Sequence, residues 1–496
     1  MSASLNIGAI DGLIVLAYLL GVLAFGLWVG RGAKSLADYF LGGRSLPAPA
    51  LLLSIVATET STVTFLSIPG LAAAAGGNLS FLQITIGYVV GRLFVVFVLL
   101  PMYFEGKPLT AYEVLEARFG SASRRLVSTL FLLTRNLSDA LRLFLTALVL
   151  QVVLGLDLAL CIVAIGVVTI LYTFIGGAKS VIWNDCVQFF VYTGGALAAA
   201  AIIVDSVPGG LSALKDFAVA EGRLQVFDFD PNPLKPSMTF WAGLVGGAFL
   251  TAATHGTDQL MVQRYLSARS ERSAGIALGL SGFVVMAQFA VFLLIGVGLA
   301  GLATSGAAPE LGQVLRNDQL FARFIVDFMP VGLLGITLAA VFAAAMSTLS
   351  SSLNSSAATF INDLYKPLRQ QPAEPRADAR ASRRATIGFG LLQTGLAIAF
   401  GFFGTDESTV AGVLKIAGFA AGPVLGLYLL AALAPAVRQP AALAGFALGV
   451  AVLSLAAIET PLHWAWYALL GSVTTFAGGK TIHALSPSAP LHEAGE

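Results

Sequence analysis

Ser347, Thr348, Ser350, Ser351 and Ser352 crowd into a single short run that follows Ala343-Ala344-Ala345-Met346 inside an apolar stretch. On a helix, Ala344, Ser347 and Thr348 stand at i, i+3 and i+4 and share one face; Ser347, Ser350 and Ser351 repeat that spacing one step round. Hard cations take oxygen ligands, and a small alanine beside the hydroxyls lets a backbone carbonyl approach. The alternative is helix packing, because small and hydroxyl residues also line contacts between membrane helices. A second group lies in Ala57-Thr58-Glu59-Thr60-Ser61-Thr62, with Pro69-Gly70 following, and a third in Thr254-His255-Gly256-Thr257-Asp258. Both interrupt apolar spans. A carboxylate such as Glu59 is costly within a membrane and marks a functional position, either tuning an ion's affinity or titrating; holding an unwound segment through backbone N–H groups is the structural alternative. Arg135, Arg142 and Lys415 are cations in apolar surroundings. A guanidinium binds a carboxylate bidentately, yet Asp139, at i+4 from Arg135 and i−3 from Arg142, could pair with either. His255 could donate to a bound solute or cap a half-helix.

These groups sit in a chain of 496 residues that is 57% hydrophobic and 11% charged, with net charge +1 and mean hydropathy +0.85. This is the composition of a polytopic membrane protein embedded in a lipid bilayer; nothing basic enough for nucleic acid is present. Cys161 and Cys186 both lie in apolar spans and read as free buried thiols. The first apolar segment lacks a basic flank and a cleavage site, so it reads as a retained helix rather than a signal peptide. Spans fall near 9–30, 48–70, 79–104, 125–154, 156–176, 182–204, 239–264, 273–301, 320–360, 383–403, 409–434, 440–458 and 462–478, about 13 transmembrane helices by length. Lys34, Arg44, Lys107, Arg124, Arg125, Lys179 and Arg264 crowd one set of loops, while the other set holds only Lys215, Arg223, Lys235, Arg316 and Arg323. That bias places the N-terminus outside and the C-terminus in the cytoplasm.

The two interrupted spans open two groups of five helices, and paired broken helices point to an inverted repeat with a site at the midplane. The organisation is an extra helix in 1–30, a first five-helix repeat in 48–204, an extracytoplasmic loop in 205–238, a second repeat in 239–434, two C-terminal helices in 435–478 and a cytoplasmic tail in 479–496. The segment 366–384 reads as a flexible inside connector, and the tail from Ser486 as disordered.

Asp38-Tyr39-Phe40-Leu41-Gly42-Gly43-Arg44-Ser45-Leu46-Pro47, Gly176-Gly177-Ala178-Lys179 through Asp185-Cys186-Val187-Gln188, Gln263-Arg264-Tyr265-Leu266 and Asn362-Asp363-Leu364-Tyr365-Lys366 resemble, in order and spacing, motifs of the sodium/solute symporter family. The resemblance runs from about residue 10 to 435. It implies an all-α, leucine-transporter-like 5+5 inverted repeat with broken first and sixth core helices. It further implies a sodium site on the carbonyls of Ala57, Thr60 and Ala344 and the hydroxyls of Ser347 and Thr348. A second sodium site, present in some members, would use Asp185 with Ser347, Ser350 and Ser351; for Asp185 the alternative is a membrane-edge acid near Lys179.

Where sugar-transporting members carry their cargo ligands, this chain has Thr64, Phe283 and Lys415, with Ser80 for an acid and Gln83 one turn on. Hexose is therefore disfavoured, and the buried cations suit a carboxylate-bearing solute. Thr58, Ser61, Thr64, Phe65, Gln83, Arg135, Arg142, Thr254, His255, Asp258 and Lys415 are the candidate cargo contacts, with Glu59 as a coupling group. The expected function is a multi-pass symporter of the inner or plasma membrane, monomeric, that couples Na⁺ entry to import of a small organic solute by alternating access. A proton-coupled symporter with Glu59 or Asp185 titrating, or a membrane solute sensor, are the alternatives; the tail 479–496 is too short for a signalling domain, so a sensor needs a separate partner. No metal-ligand cluster, nucleophile elbow or phosphate loop marks an enzyme.

Overall fold

Broken helices, rather than long ones, set this architecture. The computed structural model describes residues 8–31, 35–106, 108–235, 237–313, 317–368, 375–403 and 409–486. Lys34, Lys107, Arg316, Arg369, the middle of the 366–384 connector and the tail beyond Ser486 lie outside the described residues.

The chain starts with α1 (Ala9–Val29) and a short α2 (Leu36–Leu41), which a Ser35/Asp38 capping box opens and Gly42, at φ 56°, closes. Pro47 and Pro49 pre-set the entry to α3 (Ala48–Glu59). The helix then stops at Thr60 (φ −83°, ψ 83°), and Ser61 caps α4 (Thr62–Ala73) through the Thr64 amide. The two halves meet at a bend of 61°. There follow α5 (Gln83–Phe94), a π-helical turn, α6 (Leu100–Phe104), α7 (Glu113–Phe119) and the long α8 (Ser121–Leu154). The rod α9 (Leu158–Ser206) is broken at Gly177, at φ 58° and ψ −168°. Only glycine fits there, because a Cβ would stand 2.6 Å from the Tyr39 carbonyl oxygen. An amphipathic α10 (Gly210–Ala220) sits in the loop that follows.

The second broken helix mirrors the first. α11 (Gly247–Gly256) ends at Thr257, and the Asp258 carboxylate caps α12 (Gln259–Leu266) by accepting the Leu260 amide at 2.8 Å. Next come α13 (Glu271–Thr304), α14 (Asn317–Phe328) and α15 (Leu333–Thr359), whose end runs through a π-helical turn into α16 (Lys366–Leu368). The expected single span 320–360 is thus two elements: Gly332, at φ 90°, ends the connection and α14 packs separately on α4. α17 (Pro375–Phe403), α18 (Thr409–Leu433), α19 (Gln439–Glu459) and α20 (Tyr467–Leu485) complete the chain. Helix begins at Pro375, inside the segment expected to be a flexible connector.

Among the described residues, eight helices are long and apolar enough to cross a membrane, nine if the bent pair α3–α4 counts as one. Other rods of the bundle are short or broken, and α8 carries Arg135, Asp139 and Arg142. Among the described residues there is no β-strand, only one bridge that joins Leu46 to Ala268. α15 lies along α9, on α3 and on α1, and 83% of its most apolar window is buried, which makes it the central rod. At its far end Asp363 accepts Thr110 Oγ1 at 2.7 Å, Arg124 Nε at 2.8 Å and Ser128 Oγ at 2.9 Å, locking α15 to α8. α5 meets the second broken helix backbone to backbone: a Cβ on Gly87 would be 2.2 Å from the Gly243 carbonyl.

Candidate functional site

Where α3 ends, its last carbonyls lose their helical partners, and α15 supplies hydroxyls to them. Ser347 Oγ donates to the Ala57 carbonyl at 2.9 Å and also lies 3.1 Å from the Ala344 carbonyl. Thr348 Oγ1 donates to the Thr58 carbonyl at 2.9 Å. All of these residues are buried. Ala57, Ala344 and Ser347, named from sequence, therefore meet, and Thr348 reaches the carbonyl next along α3. Thr60 adjoins them, with its hydroxyl turned to Gln288 Oε1 at 2.9 Å on α13.

One turn deeper, Asp185 of α9 is fully buried, and its Oδ2 accepts Ser54 Oγ at 2.6 Å, Thr58 Oγ1 at 3.3 Å and Arg264 Nη2 at 3.0 Å. Arg264 also donates to Ser351 Oγ at 2.6 Å, to Ser54 Oγ at 2.9 Å and to Thr58 Oγ1. Asp185 and Ser351 are thus joined through a guanidinium. Ser350 bonds within its own helix, to the Ser347 carbonyl at 3.4 Å.

Beside the break lies a cavity of about 170 Å³. Thr58, Ser61, Thr64, Arg135, Arg142, Thr254, His255 and Asp258 line it, with Glu59 and Thr348; Tyr88, Tyr112, Phe131 and Phe289 supply aromatic walls. Three candidate contacts lie elsewhere. Phe65 packs on Phe292 and Phe321, with ring centroids 5.6 and 5.4 Å away. Gln83 donates to the Ser80 and Met238 carbonyls and accepts the Asp228 amide at 3.1 Å, stitching the loop before α11 to α5. Lys415 is not among the cavity's lining residues.

The polar walls of the cavity are balanced. Asp139 accepts Arg135 Nε and Nη2 at 2.5 and 2.7 Å and Arg142 Nη1 at 2.5 Å, while Asp258 Oδ2 stands 3.8 Å from Arg135 Nη1. Two carboxylates thus face two guanidiniums, with the separation between Arg135 Nη1 and Asp258 the longest of these contacts. On the opposite wall Glu59 pairs with Arg92 of α5, and His255 Nε2 lies 3.5 Å from Glu59 and 3.2 Å from Arg92 Nη2. Sequence reasoning does not reach Arg92, Arg264 or Ser54 as site residues. The available signal was the cost of a guanidinium in an apolar span, which applies to Arg92 as it does to Arg135.

Paired broken helices, a central hydroxyl-bearing rod and a cavity beside the break define a secondary transporter. The chain belongs to the sodium:solute symporter family, whose family model matches residues 39–449. It is 31% identical over 445 residues to the sodium-coupled monocarboxylate transporter 1 of Homo sapiens, covering 89% of this chain and 71% of that one. It is 28% identical over 497 residues to the sodium/sialic acid symporter SiaT of Proteus mirabilis, covering 98% and 97%. A substrate-bound, outward-open structure of a Na⁺-coupled sialic acid symporter superimposes with a TM-score of 0.87 at 27% identity, over 97% of this chain and 99% of that one. A nucleobase-cation-symport-1 family transporter shares the fold, with a TM-score of 0.59 at 12% identity. The protein is accordingly a multi-pass membrane symporter with the leucine-transporter-like inverted repeat, and Na⁺ is its coupling ion.

Proposed function

We propose that this symporter imports a small carboxylate-bearing solute and binds its driving sodium ion where α3 breaks against α15. The ion would take the carbonyls of Ala57, Thr60 and Ala344 and the hydroxyls of Ser347 and Thr348. The observation that carries this reading is the pair of 2.9 Å contacts from Ser347 and Thr348 to the Ala57 and Thr58 carbonyls. Neutral oxygens from two separate rods, dry and preassembled, suit a monovalent cation. An ion there braces α3 on α15, so it binds one arrangement of the repeats better than the other; that difference is what couples it to transport. A second sodium ion is assigned to Asp185, Ser347, Ser350 and Ser351.

The cargo reading rests on Arg135, which lines the cavity and whose Nη1 stands 3.8 Å from Asp258 Oδ2. A cargo carboxylate there would compete with Asp258 for the guanidinium. Relatives named for monocarboxylates and sialic acid, both of them acids, support the same class. Thr58, Ser61, Thr64, Thr254 and His255 would bond the remaining polar groups of the cargo, and Glu59 would set the local field at the ion. The Lys and Arg bias of the loops supports an outside N-terminus and a cytoplasmic C-terminus. The transport unit is read as a monomer, with transport rather than enzymatic catalysis as its activity. The two five-helix repeats are assigned to 48–204 and 239–434.

Uptake into proteoliposomes tests this reading, with an inward sodium gradient, equal pH on both sides and a panel of labelled acids, sugars and amino acids. Sodium-driven accumulation of an acid is expected. Ser347→Ala with Thr348→Ala should abolish sodium stimulation while the melting temperature in sodium-free buffer stays near that of the parent. Unchanged sodium dependence in that variant would remove the ion assignment, and accumulation of sugars alone would remove the cargo class.

A further inference from the structure

Two of the four side chains assigned to the second sodium ion, Asp185 and Ser351, already hold a cation. Arg264 Nη2 lies 3.0 Å from Asp185 Oδ2 and 2.6 Å from Ser351 Oγ. The arginine and aspartate side chains are 4% and 0% exposed, so no bulk water screens the pair. We propose that Arg264 and a second sodium ion are rivals for Asp185 and Ser351, and that this arginine therefore sets the affinity of that ion site. The proposal rests on the sodium reading above and adds to it a residue that lowers the affinity of one ion.

A sodium ion binds a hydroxyl through its oxygen lone pair, and Ser351 Oγ presents a lone pair to the Arg264 N–H. The Thr58 hydroxyl is likewise within bonding distance of Arg264 and of Asp185 Oδ2. On Asp185 the crowding falls on one atom: Oδ2 accepts Ser54, Thr58 and Arg264, whereas the buried Oδ1 has no hydrogen-bonding partner among the described residues. An ion could approach Oδ1, but another of its assigned ligands, Ser351, faces the guanidinium. Two positive charges sharing one buried carboxylate repel each other strongly, so the ion enters as Arg264 withdraws.

The placement of Arg264 makes withdrawal feasible and gives it a consequence. Its partners Ser54 and Thr58 belong to α3, Asp185 to α9 and Ser351 to α15, whereas Arg264 itself is on α12. Its Nη1 donates at 2.6 Å to the Leu260 carbonyl of its own helix, a partner that moves with it. Replacement of the guanidinium by an ion thus unfastens the inner half of the second broken helix from three rods at once.

Equilibrium binding of radiolabelled sodium to the purified full chain, with no cargo added, tests the rivalry. The parent should bind one ion tightly and one weakly. Arg264→Gln should tighten the weak ion by at least about tenfold, since a neutral amide cannot oppose it. Arg264→Lys keeps the charge and should leave that ion weak, and Arg264→Gln with Asp185→Asn should lose it. Ser54→Ala, which loosens Arg264 without removing an assigned sodium oxygen, should give a smaller tightening; it keeps the test open should Arg264→Gln fail to fold. Unchanged or weaker binding of the second ion in Arg264→Gln, or in Ser54→Ala where the former is lost, overturns the rivalry and leaves the main ion site standing. No sodium bound by any variant overturns both readings.

Discussion

Asp11 Oδ1 accepts the backbone amide of Gly335 at 2.7 Å, and that of Gly332 at the same distance. A carboxylate on α1 therefore caps the start of α15, satisfying amides that have no helical partner and complementing the positive end of the helix. The two rods touch there, since a Cβ on Gly335 would lie 2.8 Å from Asp11 Cα. α1 stands outside the two five-helix groups, yet it fixes the axial position of the rod that carries Ser347 and Thr348. Asp11→Ala is expected to cost about 1–3 kcal/mol of stability by orphaning buried amides, and to weaken sodium binding as α15 loses its register. Asp11→Asn, which keeps an acceptor oxygen, should lose less on both counts. Melting curves with and without sodium decide the matter: equal curves for Asp11→Ala and the parent would show the cap to be idle.

Glu59 and Arg92 test what the cavity wall is worth. Arg92 is fully buried and Glu59 is 15% exposed as side chains, and His255 stands against both. Glu59→Gln leaves an uncompensated buried cation, an effect of about 3–5 kcal/mol. Glu59→Gln combined with Arg92→Met should recover most of that loss, because the double variant has no buried charge to compensate. A double-mutant cycle on thermal unfolding should therefore be far from additive. Additive losses would mean that the two groups are solvated separately.

Gly177 interrupts α9 at a backbone conformation that side chains avoid, with the Tyr39 carbonyl where a Cβ would go. Gly177→Ala is expected to cost about 1–3 kcal/mol in strain alone. It also disturbs the seat of α2 against α9, so yield of folded protein should fall. A parent-like melting temperature in Gly177→Ala would show that the kink is soft.

How much of this was legible depends on how local the signal is. The breaks at Thr60-Ser61 and Thr257-Asp258 could be read because β-branched, hydroxyl and glycine residues in an apolar span weaken the helix where they stand. The shared face of Ala344, Ser347 and Thr348 followed from helical spacing, and so did the option of Asp139 pairing with Arg135 or Arg142, of which the structure shows both. Contacts between distant segments were not readable. Arg264 meets Asp185 across 79 positions of chain, and nothing near either residue announces the other. Gln83 shows the same limit from another side: a polar side chain in an apolar span has one appearance in sequence whether it faces cargo or, as here, fastens a loop. The division of 320–360 turned on Gly332, whose positive φ the surrounding apolar residues masked.

Loop 221–238 gives a prediction outside the membrane. Lys235 Nζ lies 2.6 Å from Asp228 Oδ2 and 3.3 Å from Asp230 Oδ2. The Asn232 amide, followed by Lys235, holds the Asp230 carboxyl below the usual carboxylate range, and the hydrogen bond to Asp228, followed by Asp230, raises the Lys235 ammonium above the usual lysine range. The signs are opposite. The acid's contribution is full above its unfolded pKa and is lost as pH falls through its folded value. The ammonium's contribution is full below its unfolded pKa and is lost as pH rises through its folded value. The loop is therefore most ordered between those limits, and less so at high salt because both groups are partly exposed. A spin label at Leu234, which is 45% exposed, should sharpen as pH drops below about 4, the ordinary aspartate range. Asp230→Asn should remove that acid limb and Lys235→Met the alkaline one. A label equally mobile at acid and neutral pH in the parent would mean that these contacts do not hold the loop.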